Sequence, residues 1–112
     1  MCAPERLNAF TAAMLQLYVR VRQETGYQAS YFHNMVGEQG GREAVLQLIR
    51  SPKPSEGFFR LYDLGRLDFS AEAVVLDRQW DDLFGDDDRR AAYTRLAQFE
   101  YAVPEDFWHP AN

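Results

Sequence analysis

The feature that most constrains this chain is an apolar stripe near its N-terminus. Between Pro4 and Thr25, Leu7, Phe10, Met14, Leu17 and Val21 recur at steps of 3, 4, 3 and 4 residues. That spacing puts all five on one face of a helix of about six turns. Pro4 suits a first helical turn, where its missing N–H removes no bond. Gly26 is placed to cap the C-terminus. A single helix cannot bury its own stripe, so the rest of the chain has to supply a covering surface. Packing into the domain's own core is the expected use. The alternative is a homodimer seam through Leu7, Phe10, Met14, Leu17 and Val21, for which about three heptads is the lower limit.

The remaining segments read as short helices. One is expected from about Ala29 to Gly37, with Phe32, Met35 and Val36 as its apolar set, ended by Gly40-Gly41. Another runs from about Arg42 to Arg50 and buries Val45, Leu48 and Ile49. Two prolines stiffen the loop Ser51 to Ser55. Ser55 then caps a helix that carries Phe58, Leu61 and Tyr62 and ends at Gly65. Asp68 or Ser70 caps the next helix. Its run Ala73-Val74-Val75-Leu76 could be a buried strand, but no second strand is available to pair with it. Trp80, Leu83 and Phe84 form one more turn, closed by Gly85. Asp86-Asp87-Asp88 sit at the start of the last long helix, where carboxylates meet orphan N–H groups and the positive end of the dipole. That helix reaches about Glu100, with Ala92, Leu96 and Phe99 inward. The expected fold is all-α: one domain over residues 1–112, a compact bundle of six or seven short helices around one core, with residues 102–112 as an extended tail.

Composition supports this. Hydrophobic residues make up 46% of the 112 residues and aromatic residues 14%, which argues against disorder. A chain of 13.0 kDa should expose roughly 6,300 Å² when folded, enough burial for one core and not for two. No run of apolar residues is long enough to span a membrane. The start Met1-Cys2-Ala3-Pro4-Glu5-Arg6 lacks the basic and apolar segments of a secretory signal, and one cysteine makes no internal disulfide. A cytoplasmic location is the expectation.

Residues able to carry chemistry are few. His33 and His109 are the side chains best suited to general base work near neutral pH. His33 has no carboxylate at a same-face spacing, and His109 lies beside Pro110 near the terminus. Cys2 has neither a base nor an electropositive neighbour in the local sequence. No ligand pair has metal spacing, and Gly37, Gly40 and Gly41 do not make a phosphate loop. Asp68 and Glu72, four apart, could act as paired carboxylates, but capping and first-turn placement explain them as well. No enzyme activity, cofactor or metal is expected.

Charge is unevenly placed. Residues 63–88 hold Arg66 and Arg78 against nine carboxylates, a local net of −7 in a chain whose net is −5. A solvated face is one reading. The sharper one is an acidic surface that docks a basic protein, with Asp81, Asp82, Asp86, Asp87 and Asp88 as contacts. Phe107 and Trp108 are a second candidate contact, or else a plug for the core. In the opposite sense, Arg42, Arg50, Lys53 and Arg60 against Glu43 and Glu56 give residues 42–60 a net of +2, a weak basic patch for nucleic acid.

The stretch Gly57-Phe58-Phe59-Arg60-Leu61-Tyr62, followed by Gly65-Arg66-Leu67-Asp68-Phe69-Ser70-Ala71-Glu72-Ala73-Val74-Val75-Leu76, resembles a small bacterial family of uncharacterised all-helical proteins. Glu24-Thr25-Gly26-Tyr27, Met35-Val36 and Gly40-Gly41 fit the same pattern, over roughly residues 20 to 100. The resemblance implies a helical domain of bacterial or phage origin and ranks defence or counter-defence complexes among its partners. It brings no functional residue. The expected function is non-catalytic, by protein–protein contact. One alternative is an acidic inhibitor or nucleic-acid mimic blocking a basic site of a nuclease. Another is a nucleic-acid-associated accessory module using the 42–60 patch.

Overall fold

The computed structural model describes residues 3–111. Among them are six α-helices, two 3-10 segments and no strand. The helices are α1 (Pro4–Thr25), α2 (Ser30–Gln39), α3 (Gly41–Arg50), α4 (Glu56–Asp63), α5 (Ala71–Leu76) and α6 (Asp86–Gln98). The 3-10 segments are Leu67–Phe69 and Arg78–Leu83. The accessible surface is 6721 Å². The tail beyond α6 is irregular and folds back on the core.

The stripe of α1 goes into the chain's own core. Phe10, Met14 and Val21 are buried, and Leu7 and Leu17 are half-buried against the same cluster. Three of the five side chains of the expected homodimer seam, Phe10, Met14 and Val21, are thus buried within the chain itself. Pro4 stands in the first turn, and the Gly26 N–H donates to the Arg22 carbonyl.

Between α2 and α3 the chain turns without a loop. Gly40 adopts φ 86 and ψ 162, a conformation open essentially to glycine. Gly41 is already helical and buried. A Cβ placed on it would lie 2.9 Å from the Thr11 Cα, so α1 and α3 meet backbone to backbone here. The Gly41 N–H donates to Thr11 Oγ1 at 2.9 Å. The break expected at Gly40-Gly41 is thus one turn residue and one contact residue.

The serine caps form as the sequence predicts. Ser55 Oγ accepts from the Phe58 N–H and starts α4. Ser70 Oγ accepts from the Ala73 N–H and donates to the Leu67 carbonyl, which makes it the cap of α5. Asp68 stays out of that role because Arg66 holds its carboxylate at 3.0 Å. The 73–76 run is helical, with Ala73, Val75 and Leu76 buried.

Two details, at Gly85 and at the end of the last helix, differ from expectation. Gly85 is the N-cap of α6 rather than the end of the preceding turn. The segment before it ends at Leu83, and Phe84 between them is extended. On α4, Phe58 and Leu61 fill the buried face and Tyr62 faces outward. The last helix ends at Gln98, leaving Phe99 half-buried.

Candidate functional site

Two surfaces stand out once the core is assigned. The first is a cleft of about 700 Å³ between α1, α2, α3, α4 and α5. The second half of α1, the start of α2, the end of α3, the start of α4 and residues 69–72 surround it. Tyr18, Tyr27, Tyr31, Phe32, Phe58 and Phe69 contribute aromatic walls. Glu72 also lines it, 3% exposed. Arg95 of α6 meets Glu72 at 2.9 Å and donates to the Leu48 and Ser51 carbonyls at 3.3 and 2.6 Å. One guanidinium thus satisfies a buried carboxylate and the C-terminal carbonyls of α3. Burial holds the Glu72 carboxyl above its usual range, against the opposing pull of Arg95 and of its own backbone N–H. Burial also raises the Tyr27 phenol; Arg60 lowers it and Glu56 raises it further.

The second surface is the outer face of α4. Phe59, Tyr62 and Leu64 are exposed. Phe99 lies below, with ring centroids 5.7 Å from Phe59 and 5.3 Å from Tyr62. Phe58 completes the cluster from the buried side, 5.0 Å from Phe99. The sequence pattern alone does not say which of these rings face solvent. The signal for exposure was there in Phe58-Phe59 and Leu61-Tyr62, adjacent large apolar residues that one helix face cannot hold.

The acidic stretch is largely neutralised by the fold. Among the described residues, six of its nine carboxylates have an arginine within 4.0 Å. Asp82 meets Arg6 of α1, and Asp88 meets Arg50 of α3, each at 3.0 Å. Arg6 holds the Asp82 carboxyl below its ordinary value. Asp86 meets the buried Arg89 at 2.8 Å. Asp81 lies between Arg78 at 3.5 Å and Arg89 at 3.7 Å. Its Oδ1 and the Arg89 Nε are both buried without a hydrogen bond, and they face each other. Arg89 also donates to the Asp81 carbonyl. Asp87 is exposed, beside a shallow groove that Pro52, Pro54 and Arg90 also line.

Phe107 and Trp108 are half-buried against the core. The Trp108 N–H donates to the Leu76 carbonyl at 2.9 Å, and its ring meets Tyr93 edge-on. The basic set is divided among other partners. Arg42 donates to the Leu83 carbonyl and pairs with Glu43. Arg50 is held by Asp88, and Arg60 lies over the Tyr27 ring. Lys53 is exposed in the proline loop.

The residues weighed for chemistry lie apart. His33 is exposed and stacks on Tyr18 at 4.5 Å, outside the cleft lining. His109 is half-buried, 3.0 Å from the Phe107 carbonyl. Asp68 and Glu72 are held by different arginines. Among the described residues, no cluster of His, Cys, Asp and Glu could hold a metal ion. No helix there is long and apolar enough to cross a membrane. Cys2 lies outside the described residues. Compared with family models, curated proteins and solved structures, the chain matches none of them.

Proposed function

We propose that the protein is non-catalytic and acts by protein–protein contact through the outer face of α4. The observation that carries this reading is the exposure of Phe59 and Tyr62, 43% and 46%. The other seven phenylalanines are all buried or half-buried. Exposed aromatics packed edge-on against a supporting ring are large and held in place, the properties of residues that dominate binding energies.

Glu56, Phe59 and Asp63 share this face by their spacing of three and four residues. The fitting partner presents an apolar surface edged by basic residues. The acidic stretch adds less to that preference than its sequence implies. Asp63, Asp77 and Asp87 are its carboxylates without an arginine within ion-pair distance among the described residues. An inhibitor that mimics nucleic acid would have to rely on those three. The accessory reading is left chiefly with Lys53, because intrachain partners engage Arg42, Arg50 and Arg60.

The test is affinity capture from the native host, comparing the wild type with a Phe59→Ser/Tyr62→Ser variant whose fold is checked by circular dichroism. A basic protein recovered reproducibly with the wild type and lost with the folded variant supports the reading. Undiminished recovery by the variant overturns it. Recovery of nucleic acid alone would favour the accessory module.

A further inference from the structure

We propose that the cleft bounded by α1 to α5 binds a small organic cation with an apolar body, a use distinct from the protein contact above although Glu56 borders both surfaces. Its volume of about 700 Å³ falls within the range of small-molecule pockets, and most of its wall is apolar. Six aromatic rings line it. Their faces carry the negative part of the ring quadrupole, which attracts cations and repels anions. The charged side chains in the lining, among the described residues, are Glu56 and Glu72.

The molecule already uses two of these rings to hold cations. Arg60 lies 5.0 Å from the Tyr27 centroid. Arg20 and Arg66 lie 5.2 and 4.1 Å from the Phe69 centroid. The last two are neutralised by Glu24, and Arg66 also by Asp68. Arg95 balances Glu72. Glu56 has no ion-pair partner among the described residues, so its charge remains for a ligand. Arg60 is the one nearby guanidinium without a carboxylate partner among them, and it competes for the Tyr27 face. An entering ammonium group therefore meets aromatic side chains and Glu56, while its hydrocarbon body lies against Leu17 and Phe32.

The experiment is an amide chemical-shift titration of the full chain with benzyltrimethylammonium, neutral benzyl alcohol and anionic phenylacetate. The cation is expected to bind about tenfold more tightly than the alcohol. Its shifts should centre on Ala29, Gly57 and Ala71, and phenylacetate should be weakest. Glu56→Gln should weaken the cation severalfold. Arg60→Ala should tighten it, because it removes a like charge and frees a ring face. Both residues are exposed, so neither variant is expected to unfold the chain. Equal affinity for the three probes, a preference for phenylacetate, or no shifts with any of them at millimolar concentration would overturn the proposal. So would a cation affinity that ignores both variants.

Discussion

Arg95 joins groups far apart in the sequence: Glu72 of α5 and two carbonyls at the end of α3. Replacing it with Met leaves the Glu72 carboxylate buried and unpaired, and frees the two carbonyls. Breaking one side of a buried pair typically costs about 3–5 kcal/mol, and urea unfolding of Arg95→Met should show a loss of that size. Glu72 also makes stability depend on pH. Its carboxyl is raised in the folded state above the ordinary 4.5. The folded chain therefore keeps this proton where the unfolded chain has lost it. The contribution is complete below about pH 4.5 and is lost as pH rises through the folded value. Against Glu72→Gln, the wild type should lose relative stability on going from acid toward neutral pH. Unfolding midpoints that stay parallel across that range would contradict this.

At the scale of elements, two short junctions decide how the helices meet. Gly41 lets α1 and α3 approach until a Cβ would sit 2.9 Å from backbone. Gly41→Val should cost about 1–3 kcal/mol, since backbone rather than a flexible side chain must yield. Ser70 is buried, caps α5 and bonds back to Leu67. Ser70→Ala should lower stability by about 1–2 kcal/mol, measured by thermal or urea unfolding. Capping was readable in advance because Ser55 and Ser70 stand directly before apolar runs. The outward turn of Tyr62 was not, because α4 offers two apolar faces and only packing selects which one is covered.

At the scale of the whole molecule, the C-terminal tail and the arginines close the structure. Truncation after Val103 removes Phe107, Trp108 and the Trp108 bond to Leu76. Two half-buried aromatics together are worth about 3 kcal/mol, so the truncated chain should melt several degrees lower. The acid–arginine pairs bear on charge-reversal experiments. Asp82→Lys breaks the link to Arg6 and should lower the melting temperature, whereas Asp87→Lys should leave it nearly unchanged. A binding defect in the first would be confounded by stability; one in the second would not.

The all-helical class, the long first helix, the serine caps and the acidic start of α6 were determined by the sequence itself. Each depends on spacing of three or four residues, or on a side chain next to the backbone it caps. Tertiary structure alone decided the rest. Arg6 reaches Asp82 across 76 residues, and Arg50 reaches Asp88 across 38. No local count of charge could place those partners, so the stretch that reads as −7 is mostly paired once folded. The aromatic-lined cleft is likewise bounded by segments that meet only when five helices pack together. Charge and shape at long range depend on which surfaces come into contact, and that is a property of the packed bundle.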